Sequence, residues 1–266
     1  MDDTPVIRVE HLVKKFGDVV AVDDVSFDVR RGEIFAFLGP NGAGKTTTIR
    51  MLTTLLAPTS GTLRLDGLDP QKHRNEVRQR IGVVFQDPSL DGDLTAWENM
   101  EIHGVFYGVP RRERRERTQR LLTLFELADR QGAQVKTFSG GMRRRLEIAR
   151  GLLHTPRVLF LDEPTLGLDP QSRNQMWSHV QGLNQTEGVT VFLTTHYMDE
   201  ADRVAQRIAV IDHGRIVAIG SSAELKQRTS TTSLEEAFLA LTGTAIRDET
   251  ASTADQLRQV GRMWRR

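Results

Sequence analysis

The stretch Gly39-Pro40-Asn41-Gly42-Ala43-Gly44-Lys45-Thr46-Thr47 constrains this chain more than any other. It reads G-x-x-x-x-G-K-T, a phosphate-binding loop whose glycines let backbone N–H groups close around phosphates without an obstructing Cβ. Such a loop needs a strand before it and a helix after it. Ile34 to Leu38 is a short continuous apolar run, as in a buried parallel strand. From Thr46 to Leu56 the apolar residues Ile49, Leu52, Leu55 and Leu56 recur at helical spacing. The positive end of that helix would face the phosphates, Lys45 would add a point charge, and the Thr46 hydroxyl is placed to ligate Mg²⁺.

The remaining composition excludes several classes. Among 266 residues, 36 Lys and Arg face 35 Asp and Glu, for a net charge of +1. That balance argues against a protein whose main task is coating nucleic acid. With no cysteine there is neither a disulfide framework nor thiol chemistry. The acidic start Met1-Asp2-Asp3-Thr4-Pro5 is unlike a signal peptide, and no apolar run approaches the length of a membrane span. A cytoplasmic protein is expected, and any work at a membrane would need spans from another chain.

Along the chain, residues 6 to 30 read as strands. Val25, Phe27 and Val29 alternate with polar residues, and Gly61 to Gly67 repeats the pattern, as in an antiparallel sheet with one wet face beside the loop-bearing core. Phe16 sits at a turn, where it could stack on an adenine ring or fill the core. Ile81 to Phe85 is a buried-type strand ending at Gln86, a position open to a ligand-binding role or to a plain loop residue. A helix from near Thr95 and another over Arg111 to Leu127 predict an inserted helical subdomain spanning about residues 87–150. The run Arg111 to Arg117 mixes signs at helical spacing, which fits a solvated, salt-bridged face better than a nucleic-acid surface.

Ser139-Gly140-Gly141 opens a further helix over Arg143 to Leu153, as an anion site or a helix cap. Val158 to Leu161 is a strand that delivers two acids at its carboxyl end: Asp162, suited to Mg²⁺, and Glu163, suited to acting on an attacking water. Val189 to Thr195 is a strand ending at His196, at the edge where a γ-phosphate would sit. The other six histidines show no metal-ligand spacing. A hairpin turns at Asp212-His213-Gly214, and a short helix from Leu234 stops at Gly243. A polar tail beginning at Thr244 ends in Trp264-Arg265-Arg266.

Taken in order, Gly39 to Thr47, Gln86, Ser139-Gly140-Gly141, Asp162-Glu163, Asp169 and His196 resemble the ATP-binding subunit of an ABC transporter over roughly residues 6–220. The resemblance implies an α/β fold: a P-loop, RecA-like core with an antiparallel β subdomain and an inserted α-helical subdomain. It implies an ATP-binding domain over 1–220, then a short helix and tail over 221–266. ATP and Mg²⁺ are the implied cofactors. Two copies would pair head to tail, each ATP lying between Gly39, Pro40, Asn41, Gly42, Ala43, Gly44, Lys45, Thr46 and Thr47 of one copy and Ser139, Gly140 and Gly141 of the other. By the same resemblance Phe16 stacks on adenine, and Lys45, Thr46 and Gln86 hold phosphate and Mg²⁺ together with Asp162. Glu163 is then the catalytic base, His196 the γ-phosphate sensor and Asp169 the cross-dimer residue. A separate transmembrane permease subunit is implied, with this chain peripheral on the inner face of the cell membrane and no nucleic-acid partner.

Two signature positions depart from the general pattern: Phe138 replaces leucine and Met142 replaces glutamine. Ser139 to Leu146, like Leu234-Glu235-Glu236-Ala237-Phe238-Leu239, resembles daunorubicin-resistance exporters, which implies export of a drug, lipid or glycan. A soluble ABC protein acting on ribosomes or DNA would carry two cassettes or a long coiled coil, and this sequence has neither. An ATP-gated binding module without turnover is opposed by Lys45, Glu163 and His196 together.

Overall fold

The computed structural model describes residues 5–243. Strands β1 (Ile7–Phe16) and β2 (Val19–Val29) form a hairpin, and β3 (Ile34–Leu38) leads through the glycine loop into α1 (Lys45–Leu52). Strand β4 (Ser60–Leu65) returns to β1, giving an antiparallel sheet of order β2-β1-β4. After α2 (Arg74–Arg80) and β5 (Ile81–Val84), the helices α3 (Ala96–Phe106), α4 (Arg111–Leu124) and α5 (Gly140–Leu152) are inserted before β6 (Val158–Asp162). The chain continues through α6 (Pro170–Glu187), β7 (Thr190–Thr195), α7 (Met198–Val204), β8 (Arg207–Asp212) and β9 (Arg215–Gly220). It then reaches α8 (Ser222–Thr229) and α9 (Leu234–Thr242). A second sheet has the order β5-β6-β7-β3-β8-β9 and is parallel except for β9. This is the expected P-loop core with an antiparallel sheet and an inserted helical subdomain.

The apolar run of β3 is continuous because both of its faces are covered. Ile34, Ala36 and Leu38 join the core shared with α3 to α7, while Phe35 and Phe37 point at the antiparallel sheet. There the rings of Phe27, Phe35, Phe37, Phe160 and Phe192 pack at centroid separations of 5.5–5.9 Å. Strand β2 shows the alternation read from its sequence, with Val25, Phe27 and Val29 buried. Thr95 and Glu98 form a reciprocal capping box that starts α3, and Gly243 closes α9 in the left-handed conformation.

Several element ends differ from expectation. Helix α1 stops at Leu52 because Thr54 turns left-handed (φ 68°), so the expected continuation through Leu55 and Leu56 becomes a loop. A left-handed Glu126 likewise follows the end of α4, which stops at Leu124 rather than Leu127. Helix α6 is longer than expected and begins at Pro170, a residue preorganised for a first helical turn. Helices α2, α7 and α8 were not anticipated; at seven or eight residues each, they are too short to carry a clear apolar period. The tail with Trp264-Arg265-Arg266 lies outside the described residues.

Sheet register positions the site. Leu38 lies opposite Thr195, and Asp162 opposite Thr194. The carboxyl ends of β3, β6 and β7 are therefore level, and the segments leaving them emerge along one edge, where open α/β sheets bind ligands.

Candidate functional site

The glycine loop depends on backbone conformations that side chains resist. Gly42 and Gly44 have φ of 80° and 103°, and a Cβ on Gly44 would stand 2.6 Å from the Ala21 carbonyl oxygen. No side chain caps the start of α1, so its first N–H groups are left for another acceptor. These features fit a phosphate cradle.

Lys45, only 4% exposed, donates from Nζ to Gly39 O at 2.7 Å and Pro40 O at 3.1 Å, and lies 3.2 Å from Glu163 Oε1. The other Glu163 oxygen accepts from His196 Nδ1 at 2.9 Å. Burial alone would raise the Glu163 carboxyl, but the His196 hydrogen bond and the Lys45 charge outweigh it and hold Glu163 below the usual carboxylate range. Asp162 Oδ1 accepts from Thr194 Oγ1 at 2.6 Å and from Thr46 Oγ1 at 3.3 Å. Burial pushes Asp162 up in spite of these two donors. An ionised carboxylate between an ammonium and an imidazole can accept a proton from water, and an adjacent carboxylate and hydroxyl offer hard oxygen donors.

Those two oxygens suit Mg²⁺, which keeps most of its water and takes one or two protein oxygens plus substrate phosphates. Among the described residues no cluster of three His, Cys, Asp or Glu side chains could hold a metal by itself. A shared ion is thus the arrangement these donors fit.

The structure gathers Lys45, Thr46, Asp162, Glu163 and His196, with the glycine loop joined to them through Gly39 and Pro40, while among the described residues Ser139, Asp169, Gln86 and Phe16 make none of this group's hydrogen bonds. Ser139 caps α5, accepting from Met142 N at 3.2 Å, and is exposed. Asp169 caps α6 through Ser172 and is also exposed. These two belong to a common patch: a Cβ on Gly141 would stand 2.6 Å from Ser172 Oγ, and one on Gly140 would stand 3.8 Å from Leu168. Gln86 is exposed beyond β5 and has no hydrogen bond among the described residues to the Lys45 group. Phe16, 42% exposed with Lys14 Nζ 5.0 Å from its ring centre, is not the core phenylalanine that its spacing also allowed.

Three site-forming residues were missed. Thr194 both donates to Asp162 and accepts from Glu163 N at 3.1 Å; two threonines ending an otherwise apolar strand were the available signal. Arg144 and Glu147 are buried on α5, in a basic run where only the 3.6-residue period separates inward from outward arginines.

Residues 22–166 match the family described as ABC transporter. The chain is 47% identical over 222 residues to the Nod factor export ATP-binding protein I of Ralstonia nicotianae, a match covering 84% of this chain and 69% of that protein. It is 50% identical over 223 residues to the daunorubicin/doxorubicin resistance ATP-binding protein DrrA of Streptomyces peucetius, covering 84% and 67%. Among solved structures, an ATP-binding subunit of an ABC transporter superposes with a TM-score of 0.81 at 28% identity, covering 89% of this chain and 99% of that one. A dimeric ATP-binding cassette bound to ADP and Pi in a post-hydrolysis state superposes at 0.72 and 28% identity, covering 81% and 98%. With its phosphate cradle, paired acids and histidine level on one sheet edge, this chain belongs to the ABC transporter family as an ATP-binding cassette and is an ABC-type ATPase.

Proposed function

We propose that this cassette powers export of a drug, lipid or glycan through a separate transmembrane permease subunit, in the manner of the daunorubicin-resistance type. The observation that carries the reading is the Lys45, Asp162, Glu163 and His196 group, which supplies the side chains that ATP hydrolysis requires. Glu163 acts as the base toward water, His196 holds it and senses the γ-phosphate, and Lys45 leaves its carbonyls for phosphate oxygens. Thr46, Asp162 and Gln86 hold Mg²⁺, whose bound form neutralises charge on the phosphates. Gly39 to Thr47 wrap the phosphates, and Phe16 stacks on adenine.

Ser139, Gly140 and Asp169 are exposed and Gly141 is half-buried, in a patch that makes none of this group's hydrogen bonds among the described residues. That separation supports a head-to-tail homodimer in which the patch of one copy closes on the ATP of the other. No described helix is long and apolar enough to cross a membrane. Helix α3 exposes Ile102, Val105 and Phe106, the last by 82%, which supports docking of the permease at the inserted helices. The relatives named for Nod factor export and for daunorubicin and doxorubicin resistance support an export direction.

The test is to purify the tagged chain from membranes, identify the accompanying subunit, and follow ATPase rate and cargo movement in vesicles containing both. Phe106→Asp is expected to abolish association while leaving turnover by the isolated chain within about twofold, as for a rim-of-site surface change. Failure of any membrane subunit to accompany the chain would overturn the transporter reading in favour of a soluble ABC protein.

A further inference from the structure

Arg144 has no role in the reading above, yet it is among the most completely bonded side chains of the molecule. It is 7% exposed, and each of its five N–H donors has an acceptor. Nε donates to Pro164 O at 2.7 Å, and Nη2 to Asp162 O at 3.1 Å and Glu163 O at 3.3 Å. Nη1 donates to Phe85 O at 2.6 Å and to Glu147 Oε2 at 2.9 Å. One guanidinium on α5 thus touches the residue before Gln86 and three successive carbonyls around Glu163. Glu147 extends the contact by accepting from Ser89 N at 2.8 Å, and Arg150 donates to Ser89 O at 2.8 Å. Residues 85–89 are therefore clamped to α5 at both ends.

Glu163 itself stands at φ 46°, a left-handed conformation that a glutamate enters only against strain. Its N–H is held by Thr194 O at 3.2 Å, and its carbonyl by Arg144. These two anchors set the direction in which the Glu163 side chain leaves the backbone. Only a planar fork of five donors can span carbonyls on two separate segments; a lysine carries three donors at one point.

We propose that Arg144 is a positioning residue for ATP hydrolysis: it holds Glu163 in its left-handed conformation and ties the loop carrying Gln86 to the same anchor. The proposal rests on the reading of Glu163 as the base.

The experiment compares Arg144→Lys and the pair Arg144→Gln/Glu147→Gln in the full chain. The first keeps the charge opposite Glu147, and the second leaves no orphaned carboxylate, so each guards against the other's failure to fold. Turnover and KM for ATP are measured, with melting temperature as a control. The expected result is a fall in kcat of about tenfold or more with KM changed by less than about threefold, the split for an interaction needed only in the transition state. Introduced into a Glu163→Gln chain, either change is expected to lower single-turnover hydrolysis no further, because residues acting through one group are not additive. A full multiplicative loss in that background, or unaltered kcat in both variants, overturns the positioning role while leaving Glu163 as base. Near-normal turnover by Glu163→Gln alone overturns the base assignment, and the role of Arg144 with it.

Discussion

Thr194 shows how much a single hydroxyl can arrange. It donates to Asp162 and accepts from the Glu163 backbone, so one buried group orients both acids. Thr194→Val keeps the shape and removes both bonds. Leaving a buried donor and carboxylate short of partners costs about 1–3 kcal/mol, which would appear as a lower unfolding midpoint in urea. Asp162, already raised by burial, would rise further and hold Mg²⁺ less well, so the Mg²⁺ concentration for half-maximal turnover should increase. An unchanged requirement would assign Thr194 to packing alone. For Glu163 the sign is opposite. Its carboxyl is held below the ordinary range, so it remains ionised as pH falls past the usual glutamate value of about 4.3. In Glu163→Gln, turnover is expected to drop by about 10²-fold or more, the contribution of a general base, while ATP binding persists.

Between elements, the inserted helices meet the core through a group of rings. His103 on α3 and His154 after α5 are both largely buried, and Tyr107 stacks on His154 with ring centres 3.8 Å apart. His154 Nε2 donates to Ile81 O at 2.8 Å, joining this group to β5. Burial drives both histidines down, His103 to about 3 and His154 to about 4, with Arg150 and Arg117 nearby adding to the effect. Between these values and 6.5 the unfolded chain binds protons that the folded chain refuses, so stability falls as pH drops through that window. Each ring costs about 1.4 kcal/mol per pH unit there. Urea midpoints measured from pH 7 to pH 5 should decline, and His103→Phe/His154→Phe should flatten the decline. Equal slopes in the two proteins would mean that neither ring is buried neutral.

For the whole molecule, the expected consequence of the exposed patch at Ser139, Gly140 and Asp169 is a site shared between copies. Lys45→Ala damages one half of such a site and Ser139→Arg the other. Heterodimers of the two variants then hold one doubly damaged site and one intact site. Recovery of ATPase activity on mixing, toward about half of the native rate for independent sites, is the expected result. Verified heterodimers with no activity would exclude independent shared sites and leave either a site within one chain or obligatory coupling of two.

Local chemistry made part of this protein legible before any fold was in view. The glycine loop, the strand ending in Asp162 and Glu163, and the strand ending at His196 are each contiguous in sequence, and their backbone requirements are written in neighbouring residues. The buried alternation of β2 and the continuous run of β3 announced one wet sheet and one covered sheet for the same reason. Register was not local: Leu38 opposite Thr195 joins segments over a hundred residues apart, Asp162 opposite Thr194 joins two strands with a whole helix between them, and only those pairings make Lys45, Glu163 and His196 neighbours. Nor could residue type tell Arg144 from the arginines beside it. All three carry the same charge and the same helix propensity, and what separates them is which one faces the carbonyls of Phe85, Asp162, Glu163 and Pro164 once α5 packs against the sheet. The sequence alone determined the chemistry of each segment, whereas the tertiary structure decided which segments share an edge, because burial and strand pairing act between residues that the chain keeps far apart.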